Sequence, residues 1–278
     1  MKNKPLIITL IVILSILTIG IVSLLVLLLN NSTSINKFFS NGFYSTSETI
    51  IHDQYYENKY DLIDIKNSLG DIFILNSEDE KIHVVVYGDK NQLTIRDSNN
   101  LKIDYKSKPC FGFCFNQPSS KVEIYLPSTY DKEINIENKT GDIKIEDFKE
   151  AILIVDSDLG DTDIGTVKSL EITSHAGDIE VNKVNRIKAI NNLGDIKIDK
   201  VNEFLDIKAD CGNIKIKCVD IKENSKIENN MGDIKINSTN DIRIDAKVNL
   251  GEEKVNNSNY KSDIVLNLEN SCGNIEVN

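Results

Sequence analysis

The sequence predicts an all-β fold, a single-domain β-solenoid of the parallel β-helix type, preceded by one N-terminal transmembrane α-helix. Three observations predict it. The phrase G-[DN]-I-x-[IV] returns at a nearly fixed interval, apolar and polar residues alternate with period two around each copy, and the first 29 residues contain one long uncharged apolar run.

Taken in chain order, residues 1–4 carry Lys2 and Lys4, and residues 5–29 (PLIITLIVILSILTIGIVSLLVLLL) follow without a charge. A run of this length exceeds the ~20 residues that cross a ~30 Å hydrocarbon layer. It ends at Asn30 and Asn31 with no small-residue cleavage pattern, so it reads as an uncleaved anchor. The lysines before it leave the N-terminus cytoplasmic and place the rest outside, a single-pass topology at the cell membrane. Residues 30–60 are polar and rich in Ser and Asn, and read as a stalk.

Residues 61–278 form the expected extracytoplasmic solenoid. Its first part, 61–133, is irregular and reads as a cap, with strands at 82–87, 93–95, 101–103 and 122–126. The regular part, 134–278, is punctuated by glycines. Full copies of the phrase begin at Gly70, Gly141, Gly177, Gly194, Gly212, Gly232 and Gly273, and weaker ones at Gly160 (GDTDI) and Gly251 (GEEKV). From Gly141 onward, subtracting neighbouring glycine numbers gives intervals of 19, 17, 17, 18, 20, 19 and 22. One such repeat holds two short strands and cannot bury its own Ile and Val, so copies must stack, about 4.8 Å apart. Glycine supplies the positive φ of the bend, and the Asp or Asn after it can accept from turn N–H groups. The residue before each glycine (Leu159, Leu193, Cys211, Met231, Leu250 and Cys272 among them) is mostly apolar or small, and is expected to face inward.

The segment Val122 to Pro127 (VEIYLP), followed by Ile134 to Ile136 and by Gly141 to Ile145 (GDIKI), resembles the putative-adhesin β-strand-repeat family of LiaG-like bacterial cell-envelope proteins. The likeness spans about residues 60–278. It implies a β-solenoid at the envelope, with members found near envelope-stress systems, and it offers no catalytic residue to carry over. The chain departs from that pattern at the weak copies and at the insertion around Cys110.

Charge excludes one class of partner. The net charge is −11 and the only arginines are Arg96, Arg186 and Arg243, so a nucleic acid would find no cluster of cations. The column Asp142, Asp161, Asp178, Asp195, Asn213 and Asp233 should line one edge. Carboxylates ~5 Å apart repel by roughly 0.8 kcal/mol even in water, so something offsets them. Turn amides and the outward Lys144, Lys197, Lys215 and Lys235 are the expected partners. A calcium ladder on Asp142, Asp161, Asp178, Asp195 and Asp233 is the alternative, disfavoured by one Asp per ~18 residues where calcium β-rolls use nonapeptides.

Five cysteines leave at least one unpaired. Cys110 and Cys114 flank an aromatic loop and can form a disulfide if a turn brings their Cα atoms within ~7 Å. Cys211 and Cys272 are expected to be core residues three repeats apart. His52, His83 and His175 stand alone in sequence, and no catalytic or phosphate-binding motif occurs.

The expectation is therefore a non-enzymatic binding or scaffolding protein of the envelope, needing no cofactor. It is held to the membrane by its N-terminal helix and engages an envelope protein, a wall polymer or itself. The alternatives are a polymerising surface scaffold and a polysaccharide-active β-helix enzyme, the latter opposed by short loops and few arginines.

Overall fold

A computed structural model describes residues 44–46, 49–107 and 117–278, with side chains for 49–107 and 119–278. The apolar run 5–29, most of the stalk, and Cys110 and Cys114 lie outside these residues. Among the described residues no helix is long and apolar enough to cross a membrane. Residues 46–109 and 118–278 form one compact unit, described here; the other is 1–45 with 110–117, and a short strand, β1 (Tyr44–Thr46), lies at the boundary between the two in sequence.

The strands follow in order: β2 (Ile50–Tyr56), β3 (Leu62–Asn67), β4 (Gly70–Ser77), β5 (Ile82–Tyr87), β6 (Leu93–Asp97), β7 (Leu101–Tyr105), β8 (Gln117–Pro127), β9 (Glu133–Thr140) and β10 (Ile143–Ile145). Long strands then wrap the corners: β11 (Phe148–Leu159), β12 (Thr162–Ala176), β13 (Ile179–Leu193) and β14 (Ile196–Cys211). The last are β15 (Ile214–Val219), β16 (Ser225–Met231), β17 (Ile234–Ile236), β18 (Arg243–Leu250), β19 (Glu253–Val255), β20 (Val265–Cys272) and β21 (Ile275–Val277). Among the described residues one 3-10 turn, Lys90–Gln92, interrupts them.

Each repeat is one rung, and rungs pair in parallel with like residues in register. Ile179, Ile196, Ile214, Ile234 and Ile275 stack on one side. Val167, Val184, Val201 and Val219 stack at a second corner. Leu170, Ile187 and Leu205 stack on the far side. All of these are buried in one continuous core. Burying such a side chain is worth about 1.5–3 kcal/mol, available only because the neighbouring rung covers it.

The order of rungs differs from the order of the chain at both ends. The rung of β3 and β4 lies between that of β7 and β8 and that of β9 and β10. At the other end β20 and β21 slot between β16–β17 and β18–β19. Near-identical repeats fit one another in any order, so the interval between glycines sets the rung but not its neighbour. The weak copy at Gly251 is thus the outermost rung, as an atypical terminal repeat should be.

The first end leaves the parallel pattern. β5 runs antiparallel to β8 and β2 antiparallel to β5, while β6 runs antiparallel to β7.

One expectation is overturned. Of the residues before the glycines, Leu159, Leu193, Met231 and Leu250 are exposed, and so are Cys211 and Cys272, whereas Leu69 at the first rung is buried as expected. The alternation breaks at the corner: the third residue before the glycine, as at Asn191 and Asn229, is still buried, and two residues on, where period two alone would place another inward side chain, the chain has begun its bend and the side chain faces water. Cys211 and Cys272 are also two rungs apart rather than three, with Met231 between them.

Candidate functional site

The glycine corner is built by backbone first. At Gly177 and Gly194 φ is +146° and +136°, and a Cβ there would lie 2.0 and 2.1 Å from the glycine carbonyl oxygen of the preceding rung. Both the conformation and the approach therefore require glycine. The next residue bridges rungs. The N–H of Asp142 donates to Asp71 Oδ1, that of Asp161 to Asp142 Oδ1, that of Asp178 to Asp161 Oδ1 and that of Asp195 to Asp178 Oδ1, each at 2.8–2.9 Å. Asn213, Asp233, Asn274 and Glu252 continue the chain of bonds at 2.8–3.0 Å. A bond to a charged acceptor contributes about 1.5–3 kcal/mol, more than the repulsion between neighbouring carboxylates. Each carboxylate in the ladder thus caps the amide of the following rung rather than its own turn.

A second ladder lies inside the same corner, and sequence reasoning missed it. Asn67, Asn138, Ser157, Ser174, Asn191, Asn229 and Asn270 are all buried, three residues before their glycines. Asn191 Nδ2 donates to the carbonyls of Gly177 and Gly194, both at 3.1 Å, and Asn229 and Asn270 reach Gly212 and Gly232 at 3.0 and 2.8 Å. The signal was present as a recurrent N-x-x-G.

A third feature sits on the antiparallel end. Tyr55, His83 and Tyr125 occupy opposed positions on β2, β5 and β8. The rings of Tyr55 and His83 stack at 4.1 Å and 7°, and those of His83 and Tyr125 at 5.4 Å and 23°. Asp53 Oδ1 lies 2.7 Å from His83 Nε2. Beside the stack, Lys121 bonds Glu123 and lies 5.5 and 5.1 Å from the ring centres of Phe73 and Tyr87. Glu123 holds the Lys121 ammonium above its ordinary pKa, and also accepts from the hydroxyls of Tyr87 and Tyr125. Tyr55 is 57% exposed. The result is a ledge of aromatic faces edged by two carboxylates and one cation.

A family model described as Toastrack DUF4097 matches residues 60–278, the whole of this stack of rungs. The chain belongs to the Toastrack DUF4097 family. Solved structures similar to it include a putative cell adhesion protein from Clostridium sporogenes, at 16% identity and TM-score 0.31, covering 82% of this chain and 99% of that one. A putative adhesin from Bacteroides fragilis matches at 14% and 0.39, over 85% and 100%. A putative lipid binding protein from Parabacteroides distasonis matches at 16% and 0.44, over 82% and 96%. Among the curated proteins none matches.

Within this Toastrack domain the remaining candidates are placed as follows. The outward lysines pair mostly across rungs rather than with the aspartate ladder: Lys197 with Glu180 at 2.7 Å and Lys235 with Glu276 at 2.9 Å, while Lys144 approaches Asp163 at 4.0 Å. Lys197, Lys215 and Lys235 line a shallow cleft of about 340 Å³. His175 Nδ1 lies 3.4 Å from Asp158 Oδ1, and with Asp156 they form an exposed trio whose ligand atoms fall within 4.8 Å of one another. Histidines solitary in sequence thus acquire neighbours from other strands, which no sequence spacing displayed. Cys211, Cys218 and Cys272 are free thiols.

Proposed function

We propose that this Toastrack protein is a non-enzymatic binding module on the outer side of a bacterial membrane, and that its aromatic ledge engages a glycan of the cell wall. The Tyr55–His83–Tyr125 stack carries the proposal. The outer face of Tyr55, backed by the stack, offers apolar area to the C–H face of a sugar ring, and its hydroxyl adds a polar tip. Asp53 supplies an acceptor for hydroxyls, and Lys121 a donor that Glu123 holds in its charged form. Residues 5–29 act as the anchor in this reading, so the ledge belongs to the end of the solenoid nearest the anchor in sequence. The short connections between rungs leave little to build a catalytic groove, which favours binding over turnover.

The full chain in detergent is expected to co-sediment with purified wall material, and Tyr55→Ala to weaken retention by roughly tenfold, the loss of about 1.4 kcal/mol. Equal retention of the two proteins would remove the ledge from the binding surface. A scaffold reading draws on the outermost rung, whose strands β18 and β19 pair on one side only. The antiparallel strands at the opposite end give it no matching parallel edge, so contact between two such rungs would close a pair rather than extend a filament.

A further inference from the structure

We propose that Cys211, Met231 and Cys272 form a surface site for a soft monovalent cation, Cu(I). The three residues precede Gly212, Gly232 and Gly273, the outward column of the corner. Gly212 N donates to Met231 O, and Met231 pairs in register with Cys272, so the three sit on consecutive rungs. Met231 is 58% exposed, and both cysteines are exposed free thiols. Met231 is the chain's only methionine besides Met1.

The insertion of the last rung makes this juxtaposition. Had the rungs stacked in chain order, Leu250 would separate Met231 from Cys272; instead Leu250 lies beyond Cys272, on the terminal rung. Residues 20 and 41 apart in sequence are thereby brought into one line of sulfur donors.

Thiolate and thioether are the soft ligands that select Cu(I) over harder divalent ions. Rungs stand about 4.8 Å apart, and two metal–sulfur bonds of about 2.3 Å placed end to end span about 4.6 Å. Each adjacent pair, Cys211 with Met231 and Met231 with Cys272, therefore matches one linear S–Cu–S bridge, with Met231 common to both. Binding converts a thiol to a thiolate and releases one proton per cysteine engaged, with no change of oxidation state. Asp195 and Asp233 lie on the adjoining ladder and Asp210 precedes Cys211, so the local field favours a cation.

The test uses the full chain, reduced and kept anaerobic, competing with bicinchoninate for Cu(I), with Ag(I) titration followed by near-ultraviolet sulfur-to-metal absorption. Wild type should withdraw Cu(I) from the chelator. Met231→Leu keeps the apolar bulk and all five thiols, and should lower that affinity by roughly tenfold or more. The double variant Cys211→Ser/Cys272→Ser should abolish the site, whereas Cys218→Ser should leave it unchanged. All four side chains lie at the surface or close to it, and unchanged melting curves would establish that the variants fold. Wild-type affinity in both Met231→Leu and the double variant would assign the metal to other cysteines and overturn the proposal; so would the absence of Cu(I) uptake.

Discussion

The two ends of the solenoid solve the same problem with different chemistry. At the first, Tyr60, Tyr105 and Tyr130 are buried, and β2, β5 and β6 turn antiparallel over the last rungs. Tyr60 also donates to Asp97 on β6 at 2.7 Å. At the second, the outermost rung buries Ile242 and Ile244 but leaves Ala246, Val248, Val255 and Ile264 only partly covered, and Leu250 is 69% exposed. Ser258 and Asn259 give the edge slight cover, through bonds to Ile244 N and Ile242 O at 3.0 and 2.9 Å. What the second end has instead is an insertion: β20 and β21 lie one rung inside, paired on both sides, and leave β18 and β19 at the edge.

The largest expected effect follows from that insertion. Deleting residues 265–278 removes Leu266, Leu268, Ile275 and Val277, all buried, worth about 6–12 kcal/mol before the ordering entropy they cost is returned. It also strips β18 and β19 of the strands they pair with among the described residues, although β18 and β19 themselves remain in the chain. Amide exchange in residues 243–255 should therefore lose protection in the truncated protein. A solenoid stacked in chain order would keep those amides protected, and that outcome would refute the insertion.

Glycine substitutions sharpen the contrast. Gly194→Ala places a Cβ 2.1 Å from the Gly177 carbonyl oxygen, between rungs that cannot separate, and should cost about 3 kcal/mol in denaturant unfolding. Gly251→Ala makes the same 2.1 Å clash with Gly273 O, yet its rung can shift outward, so about 1 kcal/mol is expected. Equal losses would mean that the terminal rung is held as firmly as the middle.

The inner ladder offers a smaller contrast. Val248 already occupies the asparagine position of the terminal rung, opposite Asn270. Asn191→Val, in the middle, leaves the carbonyls of Gly177 and Gly194 without their side-chain donor and should cost about 2 kcal/mol. No measurable loss would show that the amide is dispensable within the stack.

Much of this was legible in the sequence. Alternating Ile and Val marked the buried faces, and the glycines marked the corner, because both follow from local geometry that every repeat obeys. The order of the rungs was not legible: Gly251 and Gly273 introduce similar strands, and only the pairing partners distinguish inner from outer. The outward column was misread because the period-two count from Ile187 through Ala189 to Asn191 puts Leu193 inward as well, and only the bend at Gly194 turns it to water. The aromatic ledge was invisible because Tyr55, His83 and Tyr125 meet only across strands.

Acid should separate the two ends as well. His52 lies on β2, its Nε2 3.0 Å from the Tyr56 hydroxyl, and burial lowers its pKa below the ordinary 6.5 against a smaller opposing pull from Asp53. The fold thus favours the neutral ring: the contribution is complete above the unfolded value of about 6.5 and falls away as pH drops from there through the folded value. The ring is only partly buried, so the effect is the smallest of those expected. At the other end Lys235 lowers the pKa of Glu276, and Arg243 that of Asp245, so those contributions persist above the ordinary carboxylate range and fade only below it. Exchange protection of β2 should therefore weaken first, in a window just under pH 6.5 where β18 to β21 are unaffected, and His52→Gln should remove that step. If β2 and β21 lost protection together, only in the carboxylate range, the antiparallel strands would be no more pH-sensitive than the edge they contrast with.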